Sequence, residues 1–339
     1  MHWFLIYNNF RKRAIWIFAI CLFAALQSCV DTTEKILSDY DNNKINLVVA
    51  DNFNLSAFHA TLVISGLGRE FNQKEGPFTV LAPSDVAFNS AGFSNQQAVL
   101  TAPSNYIYSI ANYHSLDGKY ELNKLPFLFN QELKSRGGKL FATHWLKGTD
   151  TVLTINGSRI LANNVVASNG LIQVIDRVLT PYVHDLVSDA LAGNVDLTLF
   201  YEATRSSGVL KQLQENGPYT IFAPNNKAMI DAGYTDIHKI QAANVQDLSA
   251  FVKYHIVKDR RFIYDYILST GASNKARQTM FDGNLVDISL VPSASAPGTF
   301  DAITLRGNGN KTDVKLVQRD ELSGNGVLHV IDGSLKLYQ

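Results

Sequence analysis

The sequence has almost no cysteine. Its 339 residues include two, Cys21 and Cys29, and Cys21 lies inside an apolar run near the N-terminus. With one cysteine after that run, the rest of the chain can have no internal disulfide and no cysteine zinc site, and we expect no thiol catalysis. Its folded part must be stabilised by hydrophobic cores alone, which is feasible for domains of more than about 100 residues.

The motifs of common catalytic and metal centres are also missing. Seven of the eight histidines follow the N-terminal apolar run, and no two of these stand closer than 17 residues, so HExxH and HxxxH spacings are absent. No GxSxG nucleophile turn occurs, and the glycines of 307–312 have the wrong spacing for a phosphate loop and predict a hairpin turn. We expect no enzyme, no cofactor and no metal; a metal site or a hydrolase assembled from distant loops stays open.

No charge of one sign dominates. Basic and acidic residues number 30 each, and three of the basic ones are Arg11, Lys12 and Arg13. The rest of the chain therefore has 27 basic and 30 acidic residues, a net charge of −3. This balance offers no basic field for nucleic acid, while 46% hydrophobic and 18% charged residues are typical of folded domains.

What is present begins with an export signal over residues 1–28. Basic residues precede the apolar run Ala14–Ala25, which is shorter than the roughly 20 residues of a membrane-spanning helix. Leu26-Gln27-Ser28-Cys29 resembles the lipobox of bacterial lipoproteins, which predicts lipid attachment at Cys29, a polar tether over 29–45 and a place in the bacterial envelope, at the outer membrane and the cell surface. An ordinary signal peptide with an incidental cysteine is the alternative.

Three sequence blocks occur twice, in the same order. They are 76–88 and 217–229, Tyr113-His114 and Tyr254-His255, and 169–176 and 325–332. The first two blocks return at an offset of 141 residues and the third at 156. The chain thus contains two copies of one domain, and the second copy has gained about 15 residues between Tyr264 and Asn325.

The first block predicts a corner between a strand and a helix. Phe78–Leu81 is a short β-prone apolar run, and Pro83 ends it because proline cannot donate to a β-ladder. Ser84, and Asn225 in the second copy, stand where a helix N-cap is needed.

The other two blocks predict a helix and a hairpin. Apolar residues at three- and four-residue spacing predict amphipathic helices over 106–113 and 248–254. Each Asn-Gly pair predicts a tight turn in which both residues tolerate positive φ, followed by strands over 171–179 and 327–337.

Together these blocks resemble the fasciclin (FAS1) domain family, whose signatures are a similar corner, a Tyr-His pair after a helix and an NGVIHVID-like strand. The two copies cover 46–181 and 184–339. The resemblance implies an α+β fold of two FAS1-like domains, each a β-sandwich or wedge flanked by helices. Gln173 replaces the histidine that is common at its position, whereas His329 keeps it.

Five side chains are candidates for binding. In animal members of the family the Tyr-His region is implicated in adhesion, so the resemblance implies candidate sites at Tyr113, His114, Tyr254 and His255. The alternative is that each histidine satisfies backbone groups at a helix end while each tyrosine packs in the core. Trp145 is the fifth candidate, either as a stacking platform for a sugar or as a partly buried strand residue that covers a domain edge.

The sequence favours a non-enzymatic, membrane-anchored adhesion or binding protein of the bacterial envelope. Its expected partners are the membrane, through the N-terminal lipid, and an extracellular protein or polysaccharide, with no nucleic acid. The alternative is an accessory glycan-binding lipoprotein of an outer-membrane polysaccharide-uptake system. The linker 181–184 is short enough that the two domains should touch, and the inserted segment makes the second domain the expected carrier of specificity.

Overall fold

The computed structural model describes residues 43–215, 217–294 and 299–338. The predicted signal peptide over 1–28, the predicted lipid-attachment residue Cys29 and nearly all of the 29–45 tether lie outside these ranges. Within them, no helix combines the length and the apolar character that crossing a membrane requires.

The first domain alternates short helices with strands in the described part of the chain. Its helices are α1 (Ile45–Ala50), α2 (Ser56–Ser65), α3 (Leu67–Gln73), α4 (Asp85–Ser90), α5 (Gln96–Leu100) and α6 (Ser104–Tyr113). Its strands are β1 (Phe78–Pro83), β2 (Ser115–Asp117), β3 (Gln131–Ser135), β4 (Gly138–Lys147), β5 (Asp150–Ile155), β6 (Ser158–Ala167) and β7 (Gly170–Ile175).

The second domain repeats this order with one further helix. Its helices are α7 (Val187–Gly193), α8 (Thr198–Ser206), α9 (Leu210–Leu213), α10 (Asn226–Asp231), α11 (Ile237–Gln241), α12 (Val245–Lys253) and α13 (Ile263–Ser269). Its strands are β8 (Tyr219–Pro224), β9 (Ile256–Val257), β10 (Lys275–Thr279), β11 (Leu285–Pro292), β12 (Phe300–Gly307), β13 (Val314–Ser323) and β14 (Gly326–Ile331).

Each domain is built on one seven-stranded mixed sheet. The strand order is β2-β1-β7-β6-β5-β4-β3 in the first domain and β9-β8-β14-β13-β12-β11-β10 in the second, so equivalent strands occupy equivalent places. The pairs β1–β7 and β8–β14 are parallel, and the other pairs are antiparallel. The repeat in the sequence is therefore a repeat of the whole fold.

Strands β1 and β8, which are second from the edge of their sheets, are buried on both faces, as a continuous apolar run predicts. Val80 packs in a core with the helices, whereas Leu81 packs in a second core with β4 and β5. Ile221 and Phe222 divide between two cores in the same way. The α+β architecture, with helices flanking the sheet, is confirmed.

Both predicted corners are present. The Ser84 side chain accepts a hydrogen bond from the Ala87 N–H at 3.2 Å, and Asn225 accepts one from Ala228 at 2.8 Å. Each cap satisfies one of the N–H groups that a helix start leaves without a partner. The strand therefore passes into the helix within one residue.

The predicted Asn-Gly turns are one residue out of place. The two-residue connections are Ser168-Asn169 and 324–325, while Gly170 and Gly326 already belong to the following strands. Neither asparagine has a positive φ. Asn169 instead accepts from the Ile45 N–H and donates to the carbonyl of Phe71, so it joins the hairpin to helices α1 and α3.

The last strands are shorter than predicted. They end at Ile175 and Ile331, not at residues 179 and 337. The reason is tertiary, since the N–H groups of Leu179 and Leu335 are bound by histidine side chains from elsewhere in each domain. The hairpin turn predicted over 307–312 is confirmed, because it connects the antiparallel strands β12 and β13.

Candidate functional site

The two Tyr-His pairs lie at the C-terminal ends of α6 and α12, inside the domains. The His114 ring is bound through Nδ1 to the Ile110 carbonyl at 2.8 Å, and its Nε2 accepts from the Leu179 N–H at 3.1 Å. His255 is bound in the same way, through the carbonyl four residues earlier and the N–H of Leu335. Each histidine therefore ties a helix end to the segment that follows the last strand.

This geometry fixes the protonation of both rings. Nδ1 faces a carbonyl and must carry the hydrogen, whereas Nε2 faces an N–H and must be unprotonated. Burial lowers the pKa of His114 and of His255 from 6.5 to about 4. Both rings are therefore neutral at physiological pH.

The tyrosines are held just as firmly. The Tyr113 hydroxyl donates to the Lys139 carbonyl at 2.8 Å, and the Tyr254 hydroxyl donates to the Leu285 carbonyl at 2.8 Å. The four side chains of the two pairs are 0 to 2% exposed. A partner cannot touch them while the domains are folded, so the geometry supports the structural role of the pairs.

Gln173, which replaces the histidine common at its position, makes the same kind of hydrogen bond as His329 in the second domain. Gln173 Oε1 accepts from the Asn164 N–H at 2.9 Å, and His329 Nδ1 accepts from the Asp320 N–H at 3.0 Å. Asn164 and Asp320 both have positive φ, at irregularities in β6 and β13. Either side chain can stabilise the same bulge.

The two domains meet at an apolar contact. Phe141 of β4 packs with Phe262 and Val327 of the second domain. The guanidinium of Arg260, which is 5% exposed, lies 3.8 Å from the centre of the Phe141 ring. It also donates to the carbonyls of Ser323, Gly324 and Gly326, at 2.8 to 3.1 Å. The interface is thus built partly from a buried cation that donates to three carbonyls of its own domain.

Beside this contact lies a buried carboxylate. Asp265 of α13 accepts from the Thr143 hydroxyl at 3.0 Å and from the Asn130 side chain at 2.9 Å, both in the first domain. The Phe262 N–H of its own domain donates to it at 2.9 Å. Burial nevertheless raises the pKa of Asp265 to about 6, because three donors only partly replace the lost hydration.

Two cations complete the domain interface. Lys147 of β4 donates to the carbonyls of Ile267 and Thr270, each at 2.7 Å. Arg177 forms an ion pair with Asp320 at 3.0 Å. The expectation that the short linker brings the domains into contact is confirmed.

Trp145 lies beside this interface. Alternate residues of a strand share a face, so Trp145 is on the same face of β4 as Phe141 and Thr143, which contact the second domain. Its ring is partly buried and packs on Phe129 at 4.5 Å between ring centres. The geometry supports the edge-covering role and not an open stacking platform.

The equivalent face of the second domain is open. The two tyrosine hydroxyl bonds align Lys139 with Leu285, which places Asp287 at the position of Phe141 and Ser289 at that of Thr143. A groove of about 460 Å³ lies there, lined by Lys275, Arg277, Asp287, Ser289, Arg306 and Asp313. This charged groove belongs to the segment that carries the insertion.

The sequence patterns did not predict the polar residues of the domain interface. Asn130, Arg260 and Asp265 belong to no repeated block, and a single buried charge leaves no periodic signal. Among the described residues, no group of three or more histidine, cysteine, aspartate or glutamate side chains is placed to hold a metal ion.

A family model for the fasciclin domain matches residues 53–181 and 195–336. Human periostin is 28% identical over 272 residues, covering 78% of this chain but 29% of periostin, so the chain spans less than a third of that relative. Protein sll1483 of Synechocystis sp. is 28% identical over 171 residues, covering 48% of this chain and 91% of that protein. A solved FAS1 domain pair from the insect cell adhesion molecule Fasciclin I matches with a TM-score of 0.40 and 20% identity, covering 84% of this chain and 97% of that chain.

Proposed function

Because this chain belongs to the fasciclin family, we propose that it is a non-enzymatic adhesion or binding protein of the bacterial envelope. A lipid on Cys29 holds it at the membrane, and its two domains contact an extracellular protein or polysaccharide. The lipobox-like Leu26-Gln27-Ser28-Cys29 supports the anchor, and the tandem domains support the binding role.

The observation that carries this proposal is the buried contact between the domains. The contacts of Phe141 with Arg260 and of Thr143 with Asp265 hold the first sheet to α13 and the segment before it in the second domain. Surfaces that include residues of both domains therefore keep one shape. A preorganised surface loses less conformational entropy when it binds a partner.

The binding role is tested by retention on the immobilised protein. Matrix proteins, cell-wall material and glycans are passed over it, with an unrelated lipoprotein of similar charge as control. We expect at least one class to be retained above the control. Retention of none of the three overturns the proposal.

The rigid arrangement is tested with Thr143→Asp, which places a second carboxylate against Asp265. We expect this variant to separate the domains and to weaken binding of any partner that contacts both. Thr101→Asp, at an exposed position directly after α5 and outside the pocket beside His144, is the matched control. The domain separation is measured by small-angle X-ray scattering. If the scattering profile and the binding of Thr143→Asp both equal those of the wild type, the interface does not contribute to binding.

The anchor is tested by fractionating cells. Cys29→Ala should move the protein from the membrane pellet to the soluble extract, whereas Cys21→Ala should leave it in the pellet. If Cys29→Ala stays with the membrane, the lipid does not attach at this residue.

The second candidate is an accessory glycan-binding lipoprotein of an outer-membrane polysaccharide-uptake system. A pocket of about 600 Å³ beside His144 favours it, since this volume suits a small ligand. Deletion of the gene should then impair growth on one polysaccharide as sole carbon source, and the wild-type gene should restore it. Unimpaired growth on every polysaccharide tested contradicts this candidate.

A further inference from the structure

The pocket beside His144 draws on both domains. It has a volume of about 600 Å³, and most of its lining comes from the first domain, including β4, β5 and β6. Tyr264 of α13 contributes from the second domain. The pocket is therefore complete only when the two domains are docked.

One polar atom in its lining has no hydrogen-bond partner within residues 43–215, 217–294 and 299–338. His144 is 3% exposed, and its Nδ1 is bound to the Leu125 carbonyl at 2.6 Å. Because Nδ1 faces a carbonyl, it carries the hydrogen, and Nε2 of the neutral ring is an acceptor. Nε2 is buried and receives no hydrogen bond from the part of the chain that the structure describes. A buried acceptor without a donor costs free energy, which a ligand hydroxyl would recover.

The His144 ring has a movable apolar cover. The Phe127 ring lies over it at 4.3 Å between centres and is 49% exposed. Leu161, which is 53% exposed, adds a second apolar wall of the pocket. Half-exposed side chains change rotamer readily on binding, so Phe127 can move aside and offer its face to a ligand.

The rim of the pocket is polar but carries little net charge. Asn123 and Asn163 line it, and both are exposed. Among the described residues of the lining, Arg159 is the one charged side chain, and its charge is balanced by Asp176 at 2.7 Å. Because Asp176 balances the charge of Arg159, the rim offers an anionic ligand little net attraction, and its amide groups suit a neutral polar ligand.

We propose that this pocket binds a neutral sugar unit of a polysaccharide. The apolar face of the sugar ring packs on Phe127, one ring hydroxyl donates to His144 Nε2, and Asn163 bonds another. This inference rests on the proposed binding function and names its site and ligand class. Within the site, His144 lies on the opposite face of β4 from Trp145, because adjacent strand residues point to opposite sides of a sheet.

The test is isothermal titration of the full-length, detergent-solubilised protein with neutral hexasaccharides of glucose, xylose and mannose, and with an oligouronate for comparison. His144→Phe keeps a ring but removes the acceptor, and Phe127→Ala removes the stacking face. Phe53→Ala is the matched control, since Phe53 is 86% exposed and is not part of the pocket lining. Thermal melting of each variant shows whether it is folded.

We expect one neutral oligosaccharide to bind, and both pocket variants to weaken that binding by at least about tenfold while Phe53→Ala leaves it unchanged. If His144→Phe does not fold, Phe127→Ala and Asn163→Ala decide the outcome. Equal glycan binding by wild type and folded pocket variants overturns the site. Preference for the oligouronate, or retention of proteins without any glycan, overturns the ligand class and leaves the proposed binding function standing. Binding of nothing overturns both.

Discussion

The hydroxyl of Thr143 donates to the carboxylate of Asp265 at 3.0 Å, a contact between residues 122 positions apart that lie in different domains. The acceptor is fully buried, so this hydrogen bond belongs to the contact that fixes the two domains together. Asn130 donates to the same carboxylate. The protonation of one side chain is thereby coupled to the domain arrangement.

Asp265 should make the protein more stable towards mildly acidic pH. Its folded pKa of about 6 exceeds the value of 3.8 for a free carboxyl, so between these values the folded state binds a proton that the unfolded state does not. The free energy of unfolding should rise by up to about 3 kcal/mol as the pH falls through this window. Asp265→Asn should lose this gain, as measured by urea unfolding at several pH values. A constant difference between wild type and variant would contradict the assignment.

The buried histidines should act in the opposite direction. The folded pKa of His114 is about 4, below its ordinary 6.5, so the unfolded state takes up the proton first as the pH falls. This residue should cost the first domain up to about 3 kcal/mol of stability between pH 6.5 and 4. His114→Gln should be less stable near neutral pH by about 1–3 kcal/mol but should lose less on acidification. Equal acid sensitivity of both proteins would argue against the buried neutral ring.

Arg260 should be essential to the domain contact. Arg260→Ala removes hydrogen bonds to three backbone carbonyls and the stacking on Phe141. We expect a loss of about 2–4 kcal/mol in the free energy of unfolding. Arg277→Ala is the control, because its ion pair with Asp287 is exposed and should contribute at most about 1 kcal/mol. If both variants lose the same free energy of unfolding, the Arg260 contacts stabilise the protein no more than an exposed ion pair does.

Gly170 should tolerate no side chain. A Cβ there would meet the carbonyl of Phe78, on the strand that pairs with it in parallel, and the Ile45 side chain. Gly170→Ala should destabilise the first domain by more than about 3 kcal/mol, measured by denaturant unfolding. Gly271→Ala, where no atom lies within 4 Å of the new Cβ, should change stability by less than about 1 kcal/mol. A small loss of stability in Gly170→Ala would mean that β1 and β7 can move apart to make room for the new Cβ.

Local features of the fold could be predicted from the sequence. The strand-to-helix corners at Ser84 and Asn225 follow from apolar runs, proline and N-cap chemistry within a dozen residues, and both are present. The turns at Asn169 and Asn325 could not be placed correctly, because their side chains bind backbone groups more than 90 residues away. Such contacts exist only after the helices have packed on the hairpins.

The roles of the candidate site residues also depend on long-range contacts that the local sequence does not reveal. Tyr113 and His114 stand out in the sequence, but their burial depends on which strand covers them, and the alternation of one helix does not reveal it. His144 and Trp145 are neighbours in β4 and lie on opposite faces of it. Which of the two faces the other domain is decided by domain docking, and a single sequence carries no periodic signal for that.

The open face of the second domain has a consequence for assembly. In the first domain, the apolar side chain of Phe141 lies on the equivalent face of β4 and packs against the second domain. Asp287 occupies the corresponding place in the second domain and is already paired with Arg277. Stacking another copy there would strip water from charges and gain little apolar burial. The same chemistry disfavours head-to-tail growth of neighbouring molecules into fibres.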